Sequence, residues 1–209
     1  MISYKLLLIE DNEDDAVAIR EMLDSARAAR FELEWVGHLA AALDRLALGN
    51  IDAVLLDLSL PDSHGFASVE KILGQTQQTP IIVLTVLDDE EIAIKTVQAG
   101  AQDYLTKGSF DATLLGRAVR YAVERKRMEQ ERADFTAMIA HDLRSPLMSI
   151  IAIGEMMHDG RFGPVSKEQQ DWLRIVESSG RRLIDLVSDF LDLSKLEAGH
   201  IHLQKAPTD

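Results

Sequence analysis

Glu10, Asp11, Asp57, Thr85 and Lys107 each follow a short apolar run, and together they offer three carboxylates, a hydroxyl and an ammonium. Carboxylates gathered in one place repel each other unless a hard cation joins them, and an all-oxygen set suits Mg²⁺. A cation beside a carboxylate nucleophile, with hydroxyl and ammonium donors for a phosphoryl group's equatorial oxygens, makes a phosphoryl-transfer site. A second reactive group stands in Ile139-Ala140-His141-Asp142-Leu143-Arg144-Ser145-Pro146-Leu147. An exposed imidazole can act as a nucleophile when a neighbouring acid takes or orients its proton.

For the first five groups to meet, they must stand at one edge of a sheet. Strand candidates lie at Lys5–Ile9, Phe31–Val36, Ala53–Leu56, Ile81–Leu84 and Asp103–Leu105. Helical patterns fall between them at about Asp14–Ala29, Leu39–Leu48, Phe66–Gly74, Glu90–Ala99 and from Asp111 onward. Five repeats of strand then helix predict an α/β doubly wound fold, a parallel sheet with helices on both faces. Ligands of such sheets sit beyond the carboxyl ends of the strands. Those ends carry Glu10-Asp11, Asp57, Thr85 and Thr106-Lys107. Taken singly, Glu10 and Asp11 could cap a helix, Asp57 could be a turn residue ahead of Pro61, and Tyr104 a half-buried core aromatic. The combination is what points to chemistry.

No stop signal separates the helix that starts near Asp111 from the charged, helix-forming stretch at 123–132. Beyond it, Phe135, Ile139, Asp142, Pro146, Ser149, Ile153 and Met156 recur at three-four spacing, an imperfect amphipathic seam. His141 lies about 120° from the seam's centre at ~100° per residue. Ser145, four positions on, shares its face, and Pro146 is expected to bend the helix just past the reactive turn. Ser166 with Gln169 forms a capping-box pattern for a second helix. Its seam is Trp172, Val176, Ser179, Leu183, Leu186, Phe190 and Leu193, and Ala198-Gly199 is a suitable stop. Two long amphipathic helices with a short connection make a hairpin. One hairpin cannot bury both seams well, so two copies are expected to pair into a four-helix bundle, a homodimer.

Composition narrows the function classes. The chain has 46% hydrophobic residues, enough for real cores, and no cysteine for disulfides or thiolate metal sites. Its net charge of −13 argues against nonspecific nucleic-acid binding, and about −11 of it falls in residues 1–124. No signal peptide opens the chain and no apolar run approaches ~18 residues, so a cytoplasmic location without a membrane segment is expected.

The first half resembles the receiver domain of two-component response regulators. The carriers are Leu8-Ile9-Glu10-Asp11, the run from Leu55 to Gly65, Pro80 to Thr85, and Gly100 to Lys107. The resemblance implies the strand order 2-1-3-4-5, Asp57 as phosphoacceptor, and Mg²⁺ held by Glu10, Asp11, Asp57 and the Ser59 carbonyl. It implies that Thr85 and Lys107 bind phosphoryl oxygens and that Tyr104 is an aromatic switch turning inward with Thr85. Two positions depart from the family: Gly108 stands where proline is usual after the lysine, and Val86 where a very small residue follows the threonine.

The second half resembles the dimerisation and histidine-phosphotransfer domain of sensor histidine kinases, on the segment Phe135 to Leu147. That likeness implies His141 as phosphoacceptor, Asp142 as its acid/base partner, and Ser145 at a position that helps direct water in phosphatase reactions. Family members continue into an ATP-binding domain, and residues 206–209 stand where it would begin. The expected organisation is a receiver at 1–122, a connecting helix at 123–134 and a phosphoacceptor hairpin at 135–205. Such a chain is the regulatory and phosphoacceptor part of a cytoplasmic hybrid kinase. Phosphorylation of Asp57 would act on the His141 bundle through the shared helix, and ATP would enter only through the further domain. Its partners would be a second copy, that catalytic domain, an upstream kinase and a downstream regulator. An ATP-independent His/Asp phosphotransfer protein and a non-catalytic dimerising adaptor are the alternative readings.

Overall fold

The computed structural model describes residues 2–26, 29–76, 78–86 and 90–197. The chain divides into two compact units, Met1–Met128 and Glu129–Asp209.

In the first unit the strands are β1 (Ser3–Ile9), β2 (Arg30–Val36), β3 (Ala53–Asp57), β6 (Ile81–Thr85) and β7 (Asp103–Thr106). A short antiparallel ribbon, β4 (Ser59–Leu60) with β5 (Ser63–His64), follows β3. The helices are α1 (Glu13–Ser25), α2 (Leu39–Ala47), α3 (Phe66–Gln75), α4 (Glu90–Gln98) and α5, which starts at Ala112. The five main strands form one parallel sheet in the order β2-β1-β3-β6-β7. That is the order the family resemblance implied.

Side-chain alternation distributes the core. Leu6 and Leu8 of β1, Ala53 and Leu55 of β3, and Ile82 and Leu84 of β6 pack with α1 and α5. Leu7 and Ile9, Val54 and Leu56, and Ile81 and Val83 pack on the other face with α2 and α3. These central strands are buried on both sides, which is why they read as continuous apolar runs rather than alternating ones. Each fully buried leucine or isoleucine contributes about 1.5–3 kcal/mol by leaving water. Period-two alternation also places the site: Glu10 continues the parity of Leu6 and Leu8, and Asp57 that of Ala53 and Leu55, so both emerge toward α1.

Helix α1 stops four residues before the expected Ala29. Ala26 adopts an extended conformation, and its N–H bonds back to the Leu23 carbonyl at 3.2 Å. Gly116 of α5 allows this close return, since a β-carbon there would stand 3.2 Å from that of Ala26. Helix α2 lacks a side-chain cap of its own at His38. Asp62, at the ribbon's turn, supplies one from a distance: its carboxylate accepts from Leu39 N at 2.9 Å and Ala40 N at 3.0 Å. Those two bonds, Ala40's first, stabilise the carboxylate and hold its pKa below the usual carboxylate range.

Helix α5 runs from Ala112 to His158 and α6 from Lys167 to Glu197. The helix continues through Pro146, and because proline brings no N–H, the Asp142 carbonyl loses its intrahelical donor. The Ser166 cap behaves as its sequence pattern predicts. Gln169 Oε1 accepts from Ser166 N at 2.8 Å, and Ser166 Oγ accepts from Gln169 N at 3.2 Å. Ser166→Ala is expected to cost about 1 kcal/mol, measured by denaturant unfolding against Ser178→Ala as a mid-helix control. The expected stop at Ala198-Gly199 lies outside the described residues.

The faces of the two hairpin helices differ from the expected seams. Within this unit α5 turns Ala140, Arg144, Leu147, Ile151, Gly154 and His158 toward cover, and α6 turns Leu173, Glu177, Gly180, Ile184, Val187 and Leu191. Phe135, Ile139 and Ile153, together with Trp172, Val176, Leu183, Leu186, Phe190 and Leu193, remain exposed on the single chain. Each helix therefore has a covered inner seam, in which small and polar residues stand among Leu147, Ile151, Leu173, Ile184, Val187 and Leu191, and a separate outer seam of large exposed apolar residues. Among the described residues, no helix is long and apolar enough to cross a membrane.

Candidate functional site

The carboxyl edge of the sheet gathers four of the expected groups. Glu10, Asp11 and Asp57 each offer a carboxylate oxygen within 4.8 Å of the others, with Glu10 and Asp57 buried and Asp11 exposed. Lys107 reaches into this group from the end of β7. Its Nζ lies 2.6 Å from Glu10 Oε2, 2.8 Å from Asp15 Oδ2 and 3.2 Å from Asp57 Oδ2. An all-oxygen donor set fits a hard divalent cation, and the Lys107 ammonium stands against two of the same carboxylates.

Electrostatics follow from this crowding. Burial raises the Glu10 carboxyl above its ordinary value; the Lys107 hydrogen bond opposes that, and the Asp57 charge adds to it. For Lys107, burial alone would lower the basicity. Hydrogen bonds to Asp15 and Glu10, with the Asp57 charge, more than reverse it, so the ammonium is held charged.

The turn after β7 is set by Gly108. Ser109 N bonds the Thr106 carbonyl at 3.0 Å, closing a four-residue turn with Gly108 at φ +80°. Proline, locked near −65°, cannot adopt that angle, so the departure at this position belongs to a different turn that still presents Lys107. Lys107 N in turn donates to the Thr85 carbonyl at 2.7 Å, joining the ends of β6 and β7. The Thr85 side chain is buried, and its hydroxyl donates to the Val86 carbonyl at 3.1 Å rather than to the carboxylate group. Val86 is exposed. Tyr104 is half-buried against the α2–α3 core. Ser59 stands at the start of the ribbon, two residues past Asp57.

Three neighbours of the site were absent from the sequence reading. Asp15 stands in the first turn of α1, whose start beyond the Asn12 cap was the available signal. Trp35 donates its indole N–H to the Glu10 carbonyl at 2.6 Å, and nothing in the sequence announces that bond. Asp62, inside the motif run, acts on α2 as described.

In the second unit, His141 and Asp142 are both exposed, and His141 Nδ1 lies 3.3 Å from Asp142 Oδ1. A proton on Nδ1 directed at that carboxylate leaves the Nε2 lone pair facing outward, the arrangement of a nucleophilic imidazole. Ser145 is also exposed, and its carbonyl accepts from Ser149 Oγ at 3.2 Å.

The profile of the response regulator receiver domain matches residues 6–120. The chain belongs to the response regulator receiver family. The profile of the His Kinase A (phospho-acceptor) domain matches residues 131–199, so the receiver is followed by a histidine-kinase phosphoacceptor domain. Among solved structures, the receiver fold resembles a response regulator receiver domain protein of Clostridium thermocellum. That pair has 26% identity and a TM-score of 0.54, covering 60% of this chain and 98% of the other. It also resembles the receiver domain of sensor histidine kinase PA1611 from Pseudomonas aeruginosa, which was solved with a magnesium ion in its active-site cleft. Here the identity is 29% and the TM-score 0.50, covering 58% of this chain and 98% of that one. Curated relatives include the cell-division control histidine kinase PdhS of Brucella ovis and of Brucella canis. Each is 40% identical over 82 residues, 39% of this chain and 8% of the relative's length.

Proposed function

We propose that the chain is the receiver and phosphoacceptor portion of a hybrid histidine kinase in a two-component phosphorelay. One observation carries the reading: the Lys107 ammonium is lodged between Glu10 and Asp57 at the carboxyl edge of a receiver sheet, in a chain that also carries an exposed His141–Asp142 pair. The receiver of PA1611, solved with a magnesium ion in its active-site cleft, supports a metal at the Glu10, Asp11 and Asp57 group.

In this reading an Asp57 carboxylate oxygen attacks the phosphorus of a donor phosphohistidine. The new O–P bond forms as the P–N bond breaks, and the departing imidazole nitrogen takes up a proton. Lys107 and Thr85 donate to the equatorial oxygens, and Lys107 offsets their charge beside the buried Glu10 and Asp57. Mg²⁺, held by Glu10, Asp11, Asp57 and the Ser59 carbonyl, would neutralise charge on the phosphoryl oxygens. Thr85, drawn toward a phosphoryl group, would release its bond to the Val86 carbonyl and free Tyr104 to turn inward. Protonated Glu10 cannot ligate a cation. Since its folded carboxyl is raised, Mg²⁺ affinity is expected to fall, as pH is lowered, sooner than for an ordinary carboxylate site; metal titrations across pH 4 to 8 check this (roughly the carboxylate-to-imidazole range).

His141 is the second phosphoacceptor, Asp142 its acid/base partner, and Ser145 a candidate water-directing group. The exposed outer seams of α5 and α6 support a homodimer in which two hairpins make a four-helix bundle. The helix unbroken from Ala112 to His158 supports control of the bundle by the receiver. The partners are a catalytic ATP-binding domain, a donor kinase and a receiving regulator, in the cytoplasm.

The test joins the chain to its parent's ATP-binding domain and follows label from ATP. His141→Gln is expected to abolish histidine label, and Asp142→Asn to slow its appearance by about a hundredfold. Beryllofluoride on Asp57 is expected to change the rate; equal rates with and without it would remove the control reading.

A further inference from the structure

We propose that Asp15 is a positioning residue for Lys107, keeping its ammonium beside Asp57 when Glu10 and Asp57 turn to a divalent cation. The inference rests on the phosphoryl-transfer reading of this cluster. An ammonium has three N–H donors, and Lys107 has carboxylate partners in Glu10, Asp15 and Asp57, at 2.6, 2.8 and 3.2 Å. The cation-binding group is drawn from a different set, Glu10, Asp11 and Asp57. The two sets share Glu10 and Asp57, and only Asp15 belongs to the lysine alone.

A dication and an ammonium competing for the same oxygens repel each other strongly at such distances. Lys107 must therefore loosen its hold on Glu10 as the cation arrives. Without another counter-charge it would either resist the cation or leave the site. Asp15 supplies that counter-charge from firm ground. It sits in the first turn of α1, where the Asn12 side chain accepts its N–H at 3.3 Å and that of Asp14 at 2.9 Å. Its carboxylate is 44% exposed and Lys107 only 17%, so the acid can follow small movements of the lysine without leaving its helix. Asp14, its neighbour in the same turn, faces about 100° away and has no bond to Lys107.

The plain alternative is that Asp15 only complements the helix dipole, as Glu13 and Asp14 do. A charge in that role affects stability, and affects a nearby cation equally whether or not Lys107 is present. Mg²⁺ dissociation constants of the full chain, from amide chemical-shift titration, separate the two. Asp15→Asn is expected to weaken Mg²⁺ binding roughly fivefold, the size of a partly exposed ion pair. Asp14→Asn is expected to change it less than about twofold, its charge being solvated and screened. Asp15→Glu, which keeps the carboxylate, is expected to recover most of the loss and covers the case in which the asparagine variant folds poorly. In a Lys107→Met background the Asp15→Asn effect is expected to shrink below about twofold. An equal loss in both backgrounds would overturn the positioning role and leave a field effect. Absence of saturable Mg²⁺ binding by the unaltered chain would instead overturn the phosphoryl-transfer reading on which it rests.

Discussion

Asp57→Asn is expected to lower phosphorylation of the receiver by an acyl-phosphate donor by at least about a hundredfold, the scale on which losing a covalent nucleophile is felt. The amide is nearly isosteric, so the fold should persist, but its oxygen carries no charge to direct at phosphorus. The neighbouring carboxylates are poor substitutes. Glu10 is fully buried, bonded to Lys107 and accepting from Asn12 N at 3.3 Å, and Asp11 lies at the exposed rim of the group. Intact-mass measurement with alkali treatment checks the result, because base cleaves an acyl phosphate and leaves a phosphohistidine. Undiminished alkali-labile label in the variant would move the acceptor to another carboxylate. Removing the Asp57 charge should also let Glu10 ionise more readily, since that charge is among the causes of its raised value.

Gly180→Leu is expected to prevent proper closure of the hairpin, costing more than about 3 kcal/mol. A β-carbon at Gly180 would stand 2.7 Å from Ile151 Cγ1 and 3.1 Å from its Cδ1. Ile151 is itself buried, so its side chain has little room to retreat. Even Gly180→Ala, which gains about 1 kcal/mol of helix propensity, sets that gain against the clash. Thermal unfolding followed by circular dichroism reads the effect, and Ile151→Ala in the Gly180→Ala background should return part of it. A Gly180→Leu protein as stable as the parent would mean that α5 and α6 approach less closely.

The receiver was legible from its sequence because its signals are strong and local. Buried parallel strands such as Leu6–Ile9 and Ile81–Leu84 are short apolar runs, and the reactive groups follow them directly. The Ser166–Gln169 cap was legible for the same reason: both partners lie within one turn. The hairpin seam was not. A rule that looks for large apolar side chains at three-four spacing finds Trp172, Leu183 and Phe190, which the single hairpin leaves exposed. The covered face sets Ala140, Gly154 and Gly180, which let the backbones approach, among Leu147, Ile151, Leu173 and Ile184, with Arg144 and Glu177 beside them, and small residues carry no signal in such a rule. Tertiary bonds were equally hidden. Asp62 capping α2 spans 23 positions to Leu39, and Trp35 reaches Glu10 across 25.

That last bond makes one residue a natural optical gauge. The Trp35 indole is polarised by the carbonyl it binds, which belongs to Glu10 of the proposed cation-binding group, and the residue is 38% exposed. The chain has two tryptophans, so replacing Trp172 with phenylalanine leaves a single emitter at the strand edge. Its intensity and wavelength should then follow cation loading and phosphorylation in real time, with no dye attached and no radioactivity.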